Sequence, residues 1–429
     1  TTIAEDAGTS LTLTATISQI ADEDVIVSIG TSGTAIEGTD YSTISNITIS
    51  AGSTTGTTSF TPINDTTYEI DETAIISISG VSGADAAEDG VQSETITLSA
   101  DGDAAPTVTL ATSATTIDED AGSSLTLTAT LSNATNEDVT VGISTSGTGT
   151  EGTDYGTISD ITISAGATTG TATFTPTDDS TYEGNETGIV AISTVSGGSA
   201  NESGTPQEVT ITITENENAP TVTLSTSASS ILENAGSSLT LTATLSVATT
   251  EDVIVGISTS GTGVEGTDYG TISDITISAG ATTGTTSFTP TDDNTYEGDE
   301  TGIVAIATVS GGSATEDGTQ SETLTITENE STPVITLSTS ASSILENAGS
   351  SLTLTATSSI VTDEDIVVSI TTSGTGVEGT DYATISDITI LAGDLTGTTL
   401  FTPTDDVIYE GDETGIIAID SVSGADAAE

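Results

Sequence analysis

No lysine, arginine or histidine occurs in the 429 residues, against 65 aspartates and glutamates, for a formal charge of -65. A chain of this sign repels nucleic acid and anionic lipid, which are recognised through basic patches, so no nucleic-acid partner is expected. It also holds nothing that could neutralise its own carboxylates, and the cations must come from solution. Cysteine is absent, so disulfides and thiolate metal sites are unavailable. With histidine missing as well, structural zinc, haem and iron–sulfur ligation are excluded as they are ordinarily built. Tryptophan is absent and aromatics make up 3% of the chain. There is no run of about 18 apolar residues, so direct membrane insertion is not expected, and no signal peptide is recognisable.

What is present is 33% hydrophobic residues in short alternating runs, more than a solvated acidic tail would carry. Charged residues amount to only 15%, so the polar surface is mainly Thr and Ser, and Thr favours strands. The chain is organised around TFTPTDDSTYEGNETGIVAI at Thr173–Ile192, which returns at Ser287–Ile306 and Leu400–Ile419, with a looser copy at Ser59–Ile78. The tyrosines of the TDY tripeptide, Tyr41, Tyr155, Tyr269 and Tyr382, stand 114, 114 and 113 residues apart. The junction prolines Pro106, Pro220 and Pro333 keep the same steps. Four copies of one unit are therefore expected, at 1–105, 106–219, 220–332 and 333–429.

The second copy shows how a unit reads. TVTL at Thr107–Leu110 opens it, a small polar segment interrupts, and LTLTATL at Leu125–Leu131 alternates apolar residues with threonines as a half-buried antiparallel strand does. VTVGI, ISDITIS, TATFTP, GIVAIST and EVTITIT complete the set, joined by Gly, Asn, Asp, Ser and Pro turns. About seven short strands in roughly 110 residues describe an all-β fold of tandem antiparallel β-sandwiches. The first copy lacks a TVTL strand and the fourth lacks the closing SETLTIT strand. The expectation is an interior window of a longer repeat array; strand donation by a neighbouring molecule is the other reading. Between successive sandwiches lie only about six residues, acidic ones among them, so an elongated rod whose hinges are tied by metal is expected.

In the second copy the candidate ligands are Glu119, Asp154, Asp178, Asp179, Glu183, Glu186, Glu215 and Glu217, each at a strand end or in a turn. Such positions can converge at one pole of a sandwich. Without an ion, that many carboxylates in a small volume repel one another and raise their pKa values. Ca²⁺ accepts six to eight oxygens from flexible loops, whereas Mg²⁺ prefers a rigid octahedron. The alternative is a solvated acidic surface. Placement opposes it: SLTLTATL contains no acidic residue, whereas EDAG, EGTDY and TDDNTYEGDE are dense in them.

ILENAG, the EGTDY turn, FTPTDD running into YEGDE, and a strand ending in an acidic run, in this order, make the chain resemble the Calx-beta repeat family over nearly its whole length. The resemblance implies a seven-stranded immunoglobulin-like sandwich that binds several Ca²⁺ ions at one pole. It places the first-strand glutamate at Glu5, Glu119, Glu233 and Glu346, and the aspartate before tyrosine at Asp40, Asp154, Asp268 and Asp381. The aspartate pair falls on Asp178 with Asp179, Asp292 with Asp293 and Asp405 with Asp406, and on Asn64 with Asp65 in the first copy. The later glutamates fall on Glu69 and Glu72, Glu183 and Glu186, Glu297 and Glu300, and Glu410 and Glu413. The closing run, three aspartates in strongly binding members, is Asp101 with Asp103, Glu215 with Glu217, and Glu328 with Glu330 here.

Phe60, Phe174, Phe288 and Phe401 recur at one strand position and are expected in the core. Tyr68, Tyr182, Tyr296 and Tyr409 are expected to pack under the acidic loop. An enzyme is disfavoured, because carboxylates alone, repeated four times, lack supporting catalytic groups. The expected role is the calcium-binding stalk of a secreted or cell-surface bacterial adhesin or fibre, whose partners are calcium ions and further repeats or neighbouring subunits. A regulatory calcium sensor, as in the exchangers where the family was recognised, and a sugar- or ice-binding face of outward threonines are the alternatives.

Overall fold

The computed structural model describes residues 1–100, 104–204 and 206–429. The chain packs as two units, one of Thr1–Asp179 with Gly184–Asn216, the other of Ser180–Glu183 with Glu217–Glu429. Among the described residues no helix is long and apolar enough to cross a membrane.

In the second unit, the third repeat is built from two facing sheets. One orders Thr283–Phe288, Leu239–Leu245, Thr221–Thr226 and Thr315–Glu316; the other orders Ser230–Leu232, Ser321–Thr327, Glu300–Ser310, Val253–Gly261 and Ile275–Ile277. The alternation of Leu239–Leu245 sends Leu239, Leu241, Ala243 and Leu245 inward and Thr240 outward. With Val255, Tyr269, Phe288, Val304, Leu324 and Ile326 they form the core. Pairing is antiparallel except where the interrupted first strand changes sheets: Ser230–Leu232 runs parallel to Ser321–Thr327, and Thr221–Thr226 runs parallel to Thr315–Glu316. That change of sheet is what the polar interruption after TVTL accomplishes.

Phe288 is fully buried and stacks on Tyr269 with ring centroids 4.7 Å apart. A Cβ at Gly302 would lie 2.7 Å from the Phe288 ring, so glycine opposite the phenylalanine is required by close approach. The fourth repeat has two sheets of three strands, with Gly415–Ser423 at an open edge.

In the first unit the second repeat has the same two sheets and its own core around Leu127, Val141, Tyr155, Phe174 and Ile211. Among the described residues, Leu11–Thr16 of the first repeat pairs only with Thr55–Phe60. Where Thr107–Thr112 lies in the second repeat, the first has an open groove of about 1710 Å³ lined by Leu13, Ala15, Ile17, Val25 and Ile49.

Two expectations for tyrosines are corrected. Tyr296 does not pack under its own loop but enters the apolar cluster of the fourth repeat, where its hydroxyl donates to Asp426 Oδ2 at 3.3 Å. Tyr409 is 97% exposed. The physical reason is shared: this tyrosine extends away from its own sandwich, and becomes buried where another repeat receives it.

Candidate metal centre

The acidic loops of the third repeat are set by local hydrogen bonding. In EGTDY, Glu265 accepts from the Thr259 hydroxyl at 2.7 Å and from Ile272 N at 2.8 Å, so it braces the turn. Asp268 accepts from Val264 N at 2.6 Å through Oδ2. Asp293 accepts from Thr295 N at 2.6 Å and its own N–H donates to Glu233 Oε1 at 3.1 Å, which fastens the aspartate pair to the buried first-strand glutamate. Glu328 accepts from Glu297 N at 2.7 Å and Gly298 N at 3.0 Å, tying the closing run to the YEGDE loop.

Two trios of carboxylates result. Glu233, Glu328 and Glu330 bring oxygens within 4.8 Å of one another, and so do Asp268, Glu297 and Glu300. The trios are neighbours: the charge of Glu233 is among the causes that raise Glu300. Burial and then Asp268 push Glu300 up to about 7, and burial, Asp268 and Glu300 do the same to Glu297. Glu330 reaches about 7, first through hydrogen bonding with the Glu328 carboxyl and then through burial. Glu233 is raised by burial, against the Asp293 N–H that favours its charged form. Burial acts to raise Glu328 too, but the N–H groups of Glu330, Glu297 and Gly298 and the bond to Glu330 outweigh it and hold it low. Asp292 adds to the field on Glu233 and Glu330.

In the first repeat, Asp40, Glu69 and Glu72 form the corresponding trio. Burial, followed by Glu5, Asp40, Glu72 and Asp65, pushes Glu69 up to about 8. Glu72 rises to about 7 through burial and Asp40. Asp65 N donates to buried Glu5 at 3.3 Å. Asp101 and Asp103 lie outside the described residues.

Of the second repeat, Glu119, Asp154, Asp178, Asp179, Glu186 and Glu215 belong to the first unit, and Glu183 and Glu217 to the second. Glu119 is buried, Asp154 accepts from Thr150 N at 2.5 Å, Glu215 accepts from Gly184 N at 2.7 Å, and Asp178 accepts from Asn216 Nδ2 at 3.3 Å.

In the fourth repeat, Glu346 accepts from Asp406 N at 3.1 Å and Asp381 accepts from Val377 N at 2.6 Å. Glu410 and Glu413 feel Asp381 and Glu346 but are fully exposed, and Asp405 is exposed beside Glu346.

The donor set is oxygen alone, which suits a hard cation. With the carboxylates ionised, buried oxygens that no hydrogen-bond donor reaches occur at these places: Glu72 Oε2, Glu330 Oε2 and Asn329 Oδ1. A buried acceptor left unmatched is costly, and a cation would satisfy it. The residues fit a calcium ion.

Sequence reasoning treated the TDY tyrosines as spacing markers, yet Tyr41, Tyr155, Tyr269 and Tyr382 are core residues in ring contact with the recurring phenylalanines, stacked in the first three repeats and tilted in the fourth. It also passed over Asn136 and Asp363. Each lies in a loop that meets the preceding repeat's YE segment.

Among solved structures, the calcium binding domain CBD12 of CALX1.1 is 14% identical, covering 49% of this chain and 96% of that one at a TM-score of 0.23. CBD12 from CALX1.2 is 15% identical, covering 51% and 99% at 0.24. Invasin, a bacterial integrin-binding protein, is 13% identical, covering 97% and 77% at 0.25. No curated protein matches. The Calx-beta domain model matches residues 1–100, 101–217, 215–331 and 328–428, one match to each copy of the acidic loop. The chain belongs to the Calx-beta family, as a tandem array of its domains.

Proposed function

We propose that this array binds calcium at one pole of each repeat that holds its closing acidic run, and serves as the stalk or spacer of a secreted or cell-surface bacterial adhesin or fibre. The domains are those expected from the repeat, 1–105, 106–219, 220–332 and 333–429. The observation that carries the reading is the pair of carboxylate trios in the third repeat, Glu233 with Glu328 and Glu330 and Asp268 with Glu297 and Glu300, in a chain without a single basic side chain. A bound calcium ion supplies the positive charge that these oxygens lack. Asp292 and Asp293 stand beside the trios, and Asp40, Glu69 and Glu72 serve the first repeat in the same way. The carboxylates are assigned to ion binding and not to catalysis.

Repetition supports a mechanical role. Acidic residues at the hinges repel one another without an ion, and calcium at the pole would hold successive repeats extended. Calcium sites in extracellular modules are tuned to about 10⁻⁴–10⁻³ M, which suits an exported array.

Equilibrium dialysis of the full chain tests the binding: two or more ions per interior repeat are expected at millimolar free calcium, and none would overturn the reading. Asp268→Ala should impair the third repeat and leave the first unaltered, because repeats couple chiefly to their neighbours. Small-angle scattering with and without calcium at matched ionic strength tests the stiffening. An unchanged maximum dimension, with domains folded in both states, would leave calcium as a stabiliser only.

A further inference from the structure

In each unit the loop of a following repeat reaches the acidic pole of the repeat before it. In the first unit, Tyr68 N donates to Ala134 O at 2.7 Å and Asn136 N donates to Tyr68 O at 3.4 Å, closing a parallel bridge between Tyr68 and Thr135. In the second unit, Thr295–Tyr296 pairs in parallel with Val361–Thr362, and Asp363 N donates to Tyr296 O at 3.4 Å. Thr135 and Thr362, each 1% exposed, anchor these loops by donating to Glu137 O and Glu364 O. The residue that follows each buried threonine is thereby aimed at the pole. Asn136 Nδ2 donates to Glu72 Oε1 at 3.2 Å, while Glu72 Oε2 is buried without a partner. Asp363 occupies the equivalent position beside the third repeat, and its charge is felt by both Glu297 and Glu300.

We propose that the metal site of one repeat is completed by the next: Asp363 supplies a ligand oxygen to the pole of Asp268, Glu297 and Glu300, and Asn136 stands in the same place at the pole of Asp40, Glu69 and Glu72. The inference rests on the calcium reading and deepens it. The amide of Asn136 donates to Glu72 in the absence of an ion and can turn its carbonyl oxygen to a cation; Asp363 can only accept, and gains most from one. Ligand charge tunes calcium affinity, and this position is one at which the two sites differ in charge. A ligand from the following repeat also makes calcium binding and the fastening of successive repeats one event.

Calcium titration of the full chain by calorimetry, together with calcium-free melting, tests this with Asp363→Asn and Asn136→Asp. Both are near-isosteric and leave the backbone bonds to Tyr296 and Tyr68 intact. Asp363→Asn is expected to weaken one class of ions about tenfold and Asn136→Asp to strengthen another by a similar factor, with calcium-free melting of Asp363→Asn no lower than that of the unsubstituted chain, since the substitution removes a charge that repels Glu297 and Glu300. If the unsubstituted chain takes up no calcium, the underlying reading fails and this one with it. If it binds calcium and both variants bind identically, the cross-repeat ligand alone is overturned. An affinity loss in Asp363→Asn matched by an equal fall in calcium-free stability would also overturn it, since the residue would then act through packing.

Discussion

The third and fourth repeats carry YEGDETG in the same letters, at Tyr296–Gly302 and Tyr409–Gly415, and hold it differently. Tyr296 is 7% exposed and Tyr409 97%. Glu233 is buried whereas its counterpart Glu346 is exposed, and Glu297 and Glu300 are half-buried whereas Glu410 and Glu413 are fully exposed. A Cβ at Gly302 would come within 2.7 Å of the Phe288 ring, but one at Gly415 only within 3.3 Å of Phe401. What differs is the surroundings. The third repeat has Ser321–Thr327 leading into Glu328–Glu330 on one side and Val361–Thr362 on the other; the described residues place neither kind of neighbour beside the fourth repeat's loop. In the third repeat it is these neighbours, together with the loop, that bury the carboxylates.

The largest effect that would separate the two repeats is calcium removal. An ion at 100 times its Kd stabilises the folded state by about 2.7 kcal/mol per site, so two sites rival much of the roughly 5–15 kcal/mol of an ordinary domain. Calorimetry of the full chain should show EDTA lowering the transition of the third repeat far more than that of the fourth. Equal shifts would dissolve the distinction, and an unmoved melting curve would make the acidic surface merely solubilising. Next in size is the core. Phe288→Ala should cost about 3–5 kcal/mol in denaturant unfolding, and Phe401→Ala less, because Phe401 is only partly buried.

The strand alternation and the recurring phenylalanines were legible because they are local and periodic: Leu127, Ala129 and Leu131 face inward as LTLTATL requires. The acidic loops could be located by their density, and the resemblance named the carboxylates that the fold gathers into trios. The bracing role of Glu265 left no such signal, since it is as acidic as Asp268 and only its bonds to Thr259 and Ile272 tell them apart. Likewise the destination of Tyr296 and the place of Asp363 depend on how one repeat meets the next, which no periodicity within a repeat encodes.

A smaller effect is expected from Glu330→Gln, which removes a charge and not a shape from the closing run. Calcium uptake at the third repeat should weaken on the order of tenfold in calorimetric titration. Glu413→Gln in the fourth repeat should change less. If Glu413→Gln proved the more damaging, the closing run would not be what distinguishes the poles.

The smallest effect is the pH dependence of the calcium-free chain. Glu297, Glu300 and Glu330 titrate near 7 and Glu69 near 8, above the ordinary carboxylate value of 4.5. The folded state then binds more protons than the unfolded one between those limits, so stability falls as pH rises from about 5 to 8. Saturating calcium displaces those protons and should flatten or reverse the slope. Thermal melts across that range with and without EDTA are the check; a calcium-free chain that gained stability with pH would contradict the crowding of these groups.

An anomalous difference map from crystals of the full chain grown with calcium tests the central claim most directly. The account predicts strong peaks among Glu233, Glu328 and Glu330 and among Asp268, Glu297 and Glu300, with weak or no density at Asp381, Glu410 and Glu413. Peaks of equal strength in the third and fourth repeats would show that the loop suffices without its neighbours, and a third repeat without any peak would contradict the metal centre itself.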